Sequence, residues 1–435
     1  MDIERKIEID FDSTISIDKK YVVKEYSKGI LLFFYNMPNW VVFSQDEINT
    51  FKALENSTVG KVIEHTSMQD VKDVLRKLFS REILRAEKEK ANHTLPKILP
   101  MHIYLTNNCN LKCIHCYMYA GKPLRDELSF EDWKGILAGF IEYGGKELTI
   151  SGGEPLLVSF FSEFVKCAKE RKPSLHIKLL TNGTLLYKLS IDFLNRYIDE
   201  LQISIDGPTV EINDRVRGNG HFMKTMNNLV HIQDFKGGVT ISMCVLDTLI
   251  EPFANDFGKF YQEVIKLIPK VKFGIATDLM DGRNYKRLNY DKAKRNLEVI
   301  SNIFNDAVKK FDMEGQEEKK FERNVKTISC GYGATLTVTA NGYIYPCGVI
   351  YGQPLGFYKE KAIAEFANEL EGVVKQYDVD NLPICRNCIL KYVCGGTCRI
   401  ENHKINGEIT VPICIDAAKK DIFDSIYKDD LEFET

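Results

Sequence analysis

Hydrophobic and polar positions change their rhythm twice along the chain. Up to about residue 95 the apolar residues come in short runs, KIEIDF, YVVKEY and ILLFFY, rich in β-branched and aromatic side chains and interrupted by Pro38 and Asn39. These read as strands. Ser44 then opens SQDEINTFKAL with Glu47 three residues on, the pattern of a capping box at a helix start. Apolar residues recurring every three or four positions predict two further helices, around TVGKVIEHT and MQDVKDVLRKLF. The charged stretch RAEKEKANHTLPK reads as a linker.

From about 100 to 280 the rhythm becomes near-continuous apolar runs of strand length: MHIYLT, KELTISG, HIKLLTNG, ELQISIDG, VTISMCVL and VKFGIAT. The intervals are long enough for a helix each, which predicts a parallel sheet or barrel. Six such units make an incomplete (β/α)6 barrel, whose chemistry belongs at the C-terminal ends of its strands. A charged helical stretch, roughly 288–325, leads into a segment that looks poor in long helices and rich in cysteine and glycine. The predicted class is therefore α/β, with a winged-helix-like domain over 1–95, a partial barrel over 96–310 and a cysteine-rich domain over 311–435.

Composition adds constraints. With 44% hydrophobic and 27% charged residues the chain is a globular one with sizeable cores, neither disordered nor collagen-like. No apolar run reaches the ~20 residues that span a bilayer, and the opening MDIERKIEIDFD is unlike a signal peptide. A cytoplasmic protein without membrane association is expected. Net charge is −3, and residues 1–90 carry 15 Lys and Arg against 16 Asp and Glu. A nucleic-acid partner is not expected on that balance. The twelve cysteines matter more, because a cytoplasmic chain should not hold them as disulfides.

Directly after the first barrel strand stand Cys109, Cys113 and Cys116. Three thiolates within eight residues can grip one metal centre, and without a fourth nearby cysteine one coordination position stays open. A zinc site completed by His115 is the plainer alternative. The spacing CxxxCxxC after strand one of an incomplete barrel resembles the radical S-adenosylmethionine (SAM) enzymes. The resemblance implies a [4Fe–4S] cluster on the three cysteines, with SAM chelated at its open iron and cleaved to a radical that abstracts hydrogen. Matching segments follow at strand ends. Gly152, Gly153 and Glu154 match the family's GGE, where the carboxylate would meet the SAM ammonium. Thr181 and Asn182 end the third strand, and Ser204 and Asp206 end the fourth, where the family contacts the SAM ribose. Arg217 best matches an arginine that reaches the SAM carboxylate, and His115 is counted with this cofactor-binding set.

Beyond the barrel, Cys330 and Cys347 precede Cys385-x2-Cys388-x5-Cys394-x3-Cys398 and Cys414. CxxC pairs alone would suit a zinc ribbon. The whole pattern resembles the SPASM extension of peptide-modifying radical SAM enzymes, which implies two auxiliary clusters and three [4Fe–4S] clusters in all. By that analogy Cys385, Cys388, Cys394 and Cys414 hold the outer cluster, and Cys330, Cys347 and Cys398 the inner one. Relatives carry a further cysteine just upstream of the first, where this chain has Lys326-Thr327-Ile328-Ser329. The inner cluster would thus lack one protein ligand, which a substrate thiolate could supply. Cys244 and Cys167 read as small buried apolar residues.

The same resemblance gives the whole chain a role. The N-terminal module resembles a peptide-recognition element, binding a leader peptide by strand addition at an exposed edge within YVVKEY or ILLFFY. The expected activity is closure of a thioether in a ribosomally made precursor peptide, with flavodoxin or ferredoxin as electron donor. Alternatives are C–C or other radical cross-linking, formylglycine-type protein maturation, and a non-catalytic zinc-bearing peptide binder. Formylglycine synthesis would miss its usual aspartate, since Gly348 follows Cys347. No residue stands out as the catalytic base.

Overall fold

The computed structural model describes residues 11–15, 17, 20–84, 100–276, 281–286, 288, 290–310, 321–414 and 416–433. The predicted strand KIEIDF lies outside these residues but for Phe11, and the predicted linker lies wholly outside them. Contacts divide the chain into two compact units that ignore chain order: residues 1–95, 318–332 and 374–435 in one, 96–317 and 333–373 in the other.

The first unit begins with an antiparallel sheet of β1 (Tyr21–Tyr26), β2 (Gly29–Phe34) and β3 (Asn39–Phe43), with β2 central. Helices α1 (Gln45–Leu54), α2 (Val59–Ile63) and α3 (Met68–Ser80) follow. Ser44 and Glu47 cap α1 reciprocally, as the sequence predicted. One face of the sheet, with Leu32, Phe34, Val41 and Phe43, packs on Phe51, Val71, Val74 and Leu78 of the helices. The other face, with Leu31, Phe33, Trp40 and Val42, packs on Leu390, Phe423, Ile426 and Tyr427. Burial on both faces is why ILLFFY is continuously apolar instead of alternating. Because β2 is the central strand, ILLFFY supplies no edge, which corrects one of the two edges expected above.

The second unit carries six parallel strands in the order the sequence gives them: β4 (Pro100–Tyr104), β5 (Glu147–Ser151), β6 (His176–Thr181), β7 (Glu200–Ser204), β8 (Gly238–Cys244) and β9 (Lys272–Ala276). Between them run α4 (Phe130–Tyr143), α5 (Phe161–Arg171), α6 (Ile191–Tyr197), α7 (Val210–Arg217), α8 (His221–His231) and α9 (Ile250–Leu267), and α10 (Tyr290–Lys310) comes after. Alternation along the strands sets the layers. Met101, Ile103, Leu148, Ile150, Ile177, Leu179, Leu201 and Ile203 are fully buried, while Thr149, Lys178, Gln202, Thr240 and Ser242 between them are only half-buried.

Three short strands were not predicted. β10 (Leu336–Val338) adds parallel to β4, and β11 (Tyr343–Tyr345) and β12 (Gly356–Phe357) continue antiparallel, making a nine-stranded sheet. The C-terminal part is also less poor in helix than expected. It holds α11 (Ile363–Gln376), the short α12 (Lys391–Cys394) and α13 (Arg399–Asn406), and the 17-residue α14 (Asp416–Glu432). α14 closes the first unit through its buried residues Phe423, Ile426, Tyr427 and Asp430. Among the described residues no helix is long and apolar enough to cross a membrane.

Candidate functional site

The loop leaving β4 carries Cys109, Cys113 and Cys116, and its backbone is pinned from several directions. Asn107 O accepts from Gly121 N–H, and Cys109 N–H donates to Gly121 O. Gly153 N–H reaches Thr106 O at 2.7 Å and Glu154 N–H reaches Asn108 O at 2.8 Å. This approach explains the paired glycines. A Cβ on Gly152 would sit 2.5 Å from Thr106 O, and one on Gly153 2.3 Å from Asn108 O. Gly152 also has φ +145, which L side chains rarely adopt. A second strap was not visible in the sequence. Asn284 N–H donates to Ile114 O, Arg283 N–H to Cys116 O, and the Arg283 guanidinium to Ala120 O and Cys113 O. Gly282 lies so close that a Cβ would meet His115 O at 2.4 Å.

Glu154 is fully buried and is used by the protein itself. It accepts from Leu156 N–H at 3.1 Å, Thr181 Oγ1 at 2.8 Å and Asn182 N–H at 2.8 Å, tying the ends of β5 and β6 together. Burial pushes its carboxyl up to about 7 against those three donors. Asn182 in turn donates to Asn110 Oδ1 at 2.8 Å, and Asn110 donates to Thr184 Oγ1. The segment after β6 thereby holds the start of the cysteine loop, at Asn110, while the Arg283 strap holds Cys113, Cys116 and Ala120.

Asp206 and Arg217 form a buried ion pair, in which Nη2 donates to Oδ1 at 2.9 Å and Nε lies 2.7 Å from Oδ2 without hydrogen-bond geometry. Burial would raise Asp206, but Arg217 and then His115 outweigh it and hold the carboxyl below its usual range. His115 Nε2 lies 3.4 Å from Asp206 Oδ2, and Nδ1 is buried without a hydrogen-bond partner among the described residues. Burial holds the imidazole below its ordinary value. Cys244 ends β8 with its N–H on Asp206 Oδ1, so its surroundings are polar and not the apolar ones expected. His115, Asp206 and Cys244 stand close enough to share a cation. Arg217 already supplies the positive charge there, which disfavours one. Ser204, at the end of β7, is half-buried.

In the first unit, Cys385, Cys388, Cys394 and Cys414 line one cavity of about 590 Å³ together with Lys24, Lys391, Lys419 and Lys420. Burial pushes the Cys385 thiol up to about 11, and the other three sulfurs add to it. Four soft donors converging on one cavity fit an iron–sulfur or zinc centre. Cys330 and Cys398 influence each other, with Cys330 the one favoured as thiolate and Cys398 as thiol. Cys347 belongs to the second unit. Near it, Tyr104 pairs with Tyr117 and donates to Gly348 O, and a Cβ on Gly348 would lie 3.1 Å from His102 Nδ1.

For the three-cysteine loop the donor set also fits. Three thiols on one loop, a glycine cradle beneath it and an orphaned imidazole nitrogen beside it are what a cluster with an exchangeable iron would use. Residues 103–257 match the model of the Radical SAM superfamily. The sporulation killing factor maturation protein SkfB of Bacillus subtilis (strain 168) is 28% identical over 289 residues, 63% of this chain and 66%, just under two thirds, of that protein. The AdoMet-dependent heme synthase of Methanosarcina barkeri (strain Fusaro / DSM 804) is 27% identical over 338 residues, 72% of this chain and 94% of that one. In fold, the chain is similar to Streptococcus suis SuiB bound to precursor peptide SuiA, at TM-score 0.56 and 16% identity, covering 89% of this chain and 96% of that one.

Proposed function

We propose that this chain, which carries a Radical SAM superfamily domain over residues 103–257, is an enzyme that modifies a ribosomally made precursor peptide, closing a thioether between a cysteine and another residue. The observation that carries the reading is the cysteine loop held on two sides, by Gly152–Glu154 and by Arg283. Such bracing is what a site needs to fix a reactive group within tenths of an ångström. Cys109, Cys113 and Cys116 would hold one [4Fe–4S] cluster, Cys385, Cys388, Cys394 and Cys414 a second, and Cys330, Cys347 and Cys398 a third. A reduced cluster with bound SAM supplies a carbon-centred radical that takes a hydrogen atom from the substrate.

This chain's own part is placement. Glu154 sets the ends of β5 and β6, and the Asp206–Arg217 pair places a fixed dipole beside the cysteine loop, where SAM would lie. Seven cysteines beyond the barrel leave one ligand position unfilled, which supports a substrate thiolate and hence a thioether. SkfB, a maturation protein by name, and SuiB with its precursor peptide support the substrate class. An acidic low-potential electron carrier would supply reducing equivalents. Residues 1–95 would recognise the peptide. A formylglycine reaction is disfavoured because Gly348 follows Cys347 where that reaction's usual aspartate would stand.

The test is anaerobic. Reconstituted protein should bind about twelve irons per chain if all three clusters build, and form 5′-deoxyadenosine with SAM and reductant. The Cys109→Ala/Cys113→Ala/Cys116→Ala variant should lose a third of the iron and all of the deoxyadenosine. Zinc in place of iron, with no SAM cleavage, would overturn the catalytic reading in favour of a peptide-binding protein.

A further inference from the structure

Between Cys394 and Cys398 the backbone runs through three consecutive residues of positive φ: Gly395 at +67, Gly396 at +79 and Thr397 at +62. Glycine adopts this conformation freely, but Thr397 does not, so the turn has to be held from outside. Arg399 holds it. Its Nη1 donates to Gly396 O and Thr397 O, both at 2.7 Å, and its Nη2 to Gly395 O at 3.0 Å. Nε and Nη2 donate to Tyr377 O at 3.1 and 2.8 Å. These bonds use all of the guanidinium's N–H groups.

Every one of those acceptors is a neutral carbonyl. Arg399 is fully buried, and among the described residues no carboxylate pairs with it. A buried charge without a counter-charge is costly, so the charge calls for a reason beyond the turn. The surroundings supply one. Gly396 and Thr397, whose carbonyls Arg399 grips, line the cavity of Cys385, Cys388, Cys394 and Cys414, and Cys398 is its neighbour in the chain. Burial governs the Cys385 thiol and Cys398 governs Cys330, yet at both sulfurs the Arg399 charge works toward the thiolate. One guanidinium thus acts on both cysteine groups of this unit. Lys24 and Lys420 also line the cavity, but they are exposed and screened by water and salt. Arg399 is not.

We propose that Arg399 is the internal counter-charge of these two cysteine groups, and that it raises the potential at which an iron–sulfur cluster held there takes up an electron. The couple is a one-electron one: the cluster gains a negative charge, and no bond is made or broken. A fixed positive charge in a low-dielectric interior favours the more negative state. The inference rests on the iron–sulfur reading above and gives one residue a part in it.

The test uses the full chain carrying Cys109→Ala/Cys113→Ala/Cys116→Ala, so that only clusters beyond the barrel report. Reconstituted protein is titrated with dithionite in the presence of redox mediators, and the reduced clusters are followed by electron paramagnetic resonance. Arg399→Gln, neutral but still a donor, should lower the ratio of reduced to oxidised cluster at fixed potential roughly tenfold, a midpoint about 59 mV more negative. Arg399→Lys, which keeps the charge and loses most of the donors, should stay near the parent. The shift should persist at about 1 M salt, where surface charges are screened within roughly 3 Å. If Arg399→Gln holds no iron, Asn402→Asp decides. Asn402 Oδ1 accepts from Thr397 Oγ1 at 2.7 Å and from Ile413 N–H at 3.0 Å, bonds that an aspartate keeps. Its added negative charge offsets Arg399 and should also move the midpoint down. An unmoved midpoint, a shift that salt abolishes, or equal shifts in Arg399→Gln and Arg399→Lys would overturn the proposal and leave the cluster reading intact. Zinc in place of iron in the parent would overturn both.

Discussion

Asp430 offers the most direct test of how the first unit is held together. Its carboxylate is fully buried and accepts from Val42 N–H, from Arg81 Nε and Nη2, and from Arg323 Nη2. Asp430→Ala leaves Nε and Nη2 of the buried Arg81 and the Val42 N–H without this acceptor, while Arg323 keeps Asp429. Breaking a buried pair in this way costs about 3–5 kcal/mol, because the Arg81 charge keeps its desolvation penalty. For a unit of this size that is roughly 6–20 °C in melting temperature. The chain carries only two tryptophans, Trp40 in this unit and Trp133 in the other. Trp133 Nε1 has no hydrogen-bond partner among the described residues, so Trp133→Phe breaks no hydrogen bond, and every variant is compared within that background. In that background Trp40, whose Nε1 donates to Asp429, reports the first unit alone. Thermal and urea melts followed by Trp40 emission should show the shift, and Asp430→Asn, which keeps an acceptor for Val42, should shift less. An Asp430→Ala protein melting within a degree of its parent would refute the claim that this carboxylate fastens α14 to β3.

Gly153→Ala should cost the first cluster selectively, because a Cβ there meets Asn108 O at 2.3 Å. About four of twelve irons should be lost by colorimetric assay, along with SAM cleavage. Arg283→Ala removes the donors to Ala120 O and Cys113 O and should speed iron loss from the same loop to a chelator, with Arg283→Lys intermediate. Glu154 gives a pH signature in the cluster-free protein. Burial raises its pKa from 4.5 to about 7, so the fold retains a proton that the unfolded chain releases. Its contribution is then full below about pH 4.5 and is lost as pH rises to about 7. Urea midpoints across that range should flatten in Glu154→Gln, and an unchanged slope would refute the assignment.

What the sequence disclosed follows from the range of the interactions concerned. The six barrel strands and the Ser44–Glu47 cap depend on neighbours a few residues away, and both were legible. β3 was not, because Pro38 and Asn39 read as an interruption, whereas Asn39 is the first residue of the strand and holds it with a side-chain bond to Trp40 N–H. β10 to β12 are two or three residues long, shorter than any periodicity can register. α14 reads as an ordinary charged surface helix, and nothing local marks Asp430 as its buried residue. Its partners Arg81 and Arg323 stand 349 and 107 residues away.

At the candidate site the residue types were legible and their partners were not. Gly152, Gly153, Glu154, Asp206 and Arg217 were singled out for contacts to a cofactor, yet most of their bonding is to one another and to the cysteine loop. The glycines are required by Thr106 and Asn108, and the Glu154 carboxylate by Thr181 and Asn182. Arg217 spends both its short contacts on Asp206. A motif residue is therefore not yet a ligand. A cofactor carboxylate approaching Arg217 must share it with Asp206 or draw on the nitrogens that Asp206 leaves over, so charge at position 206 governs that affinity. Asp206→Asn should weaken the competition, and also loosen His115 and the Cys244 N–H. A sequence match cannot separate those two effects, because they arise from one carboxylate that closes three contacts at once.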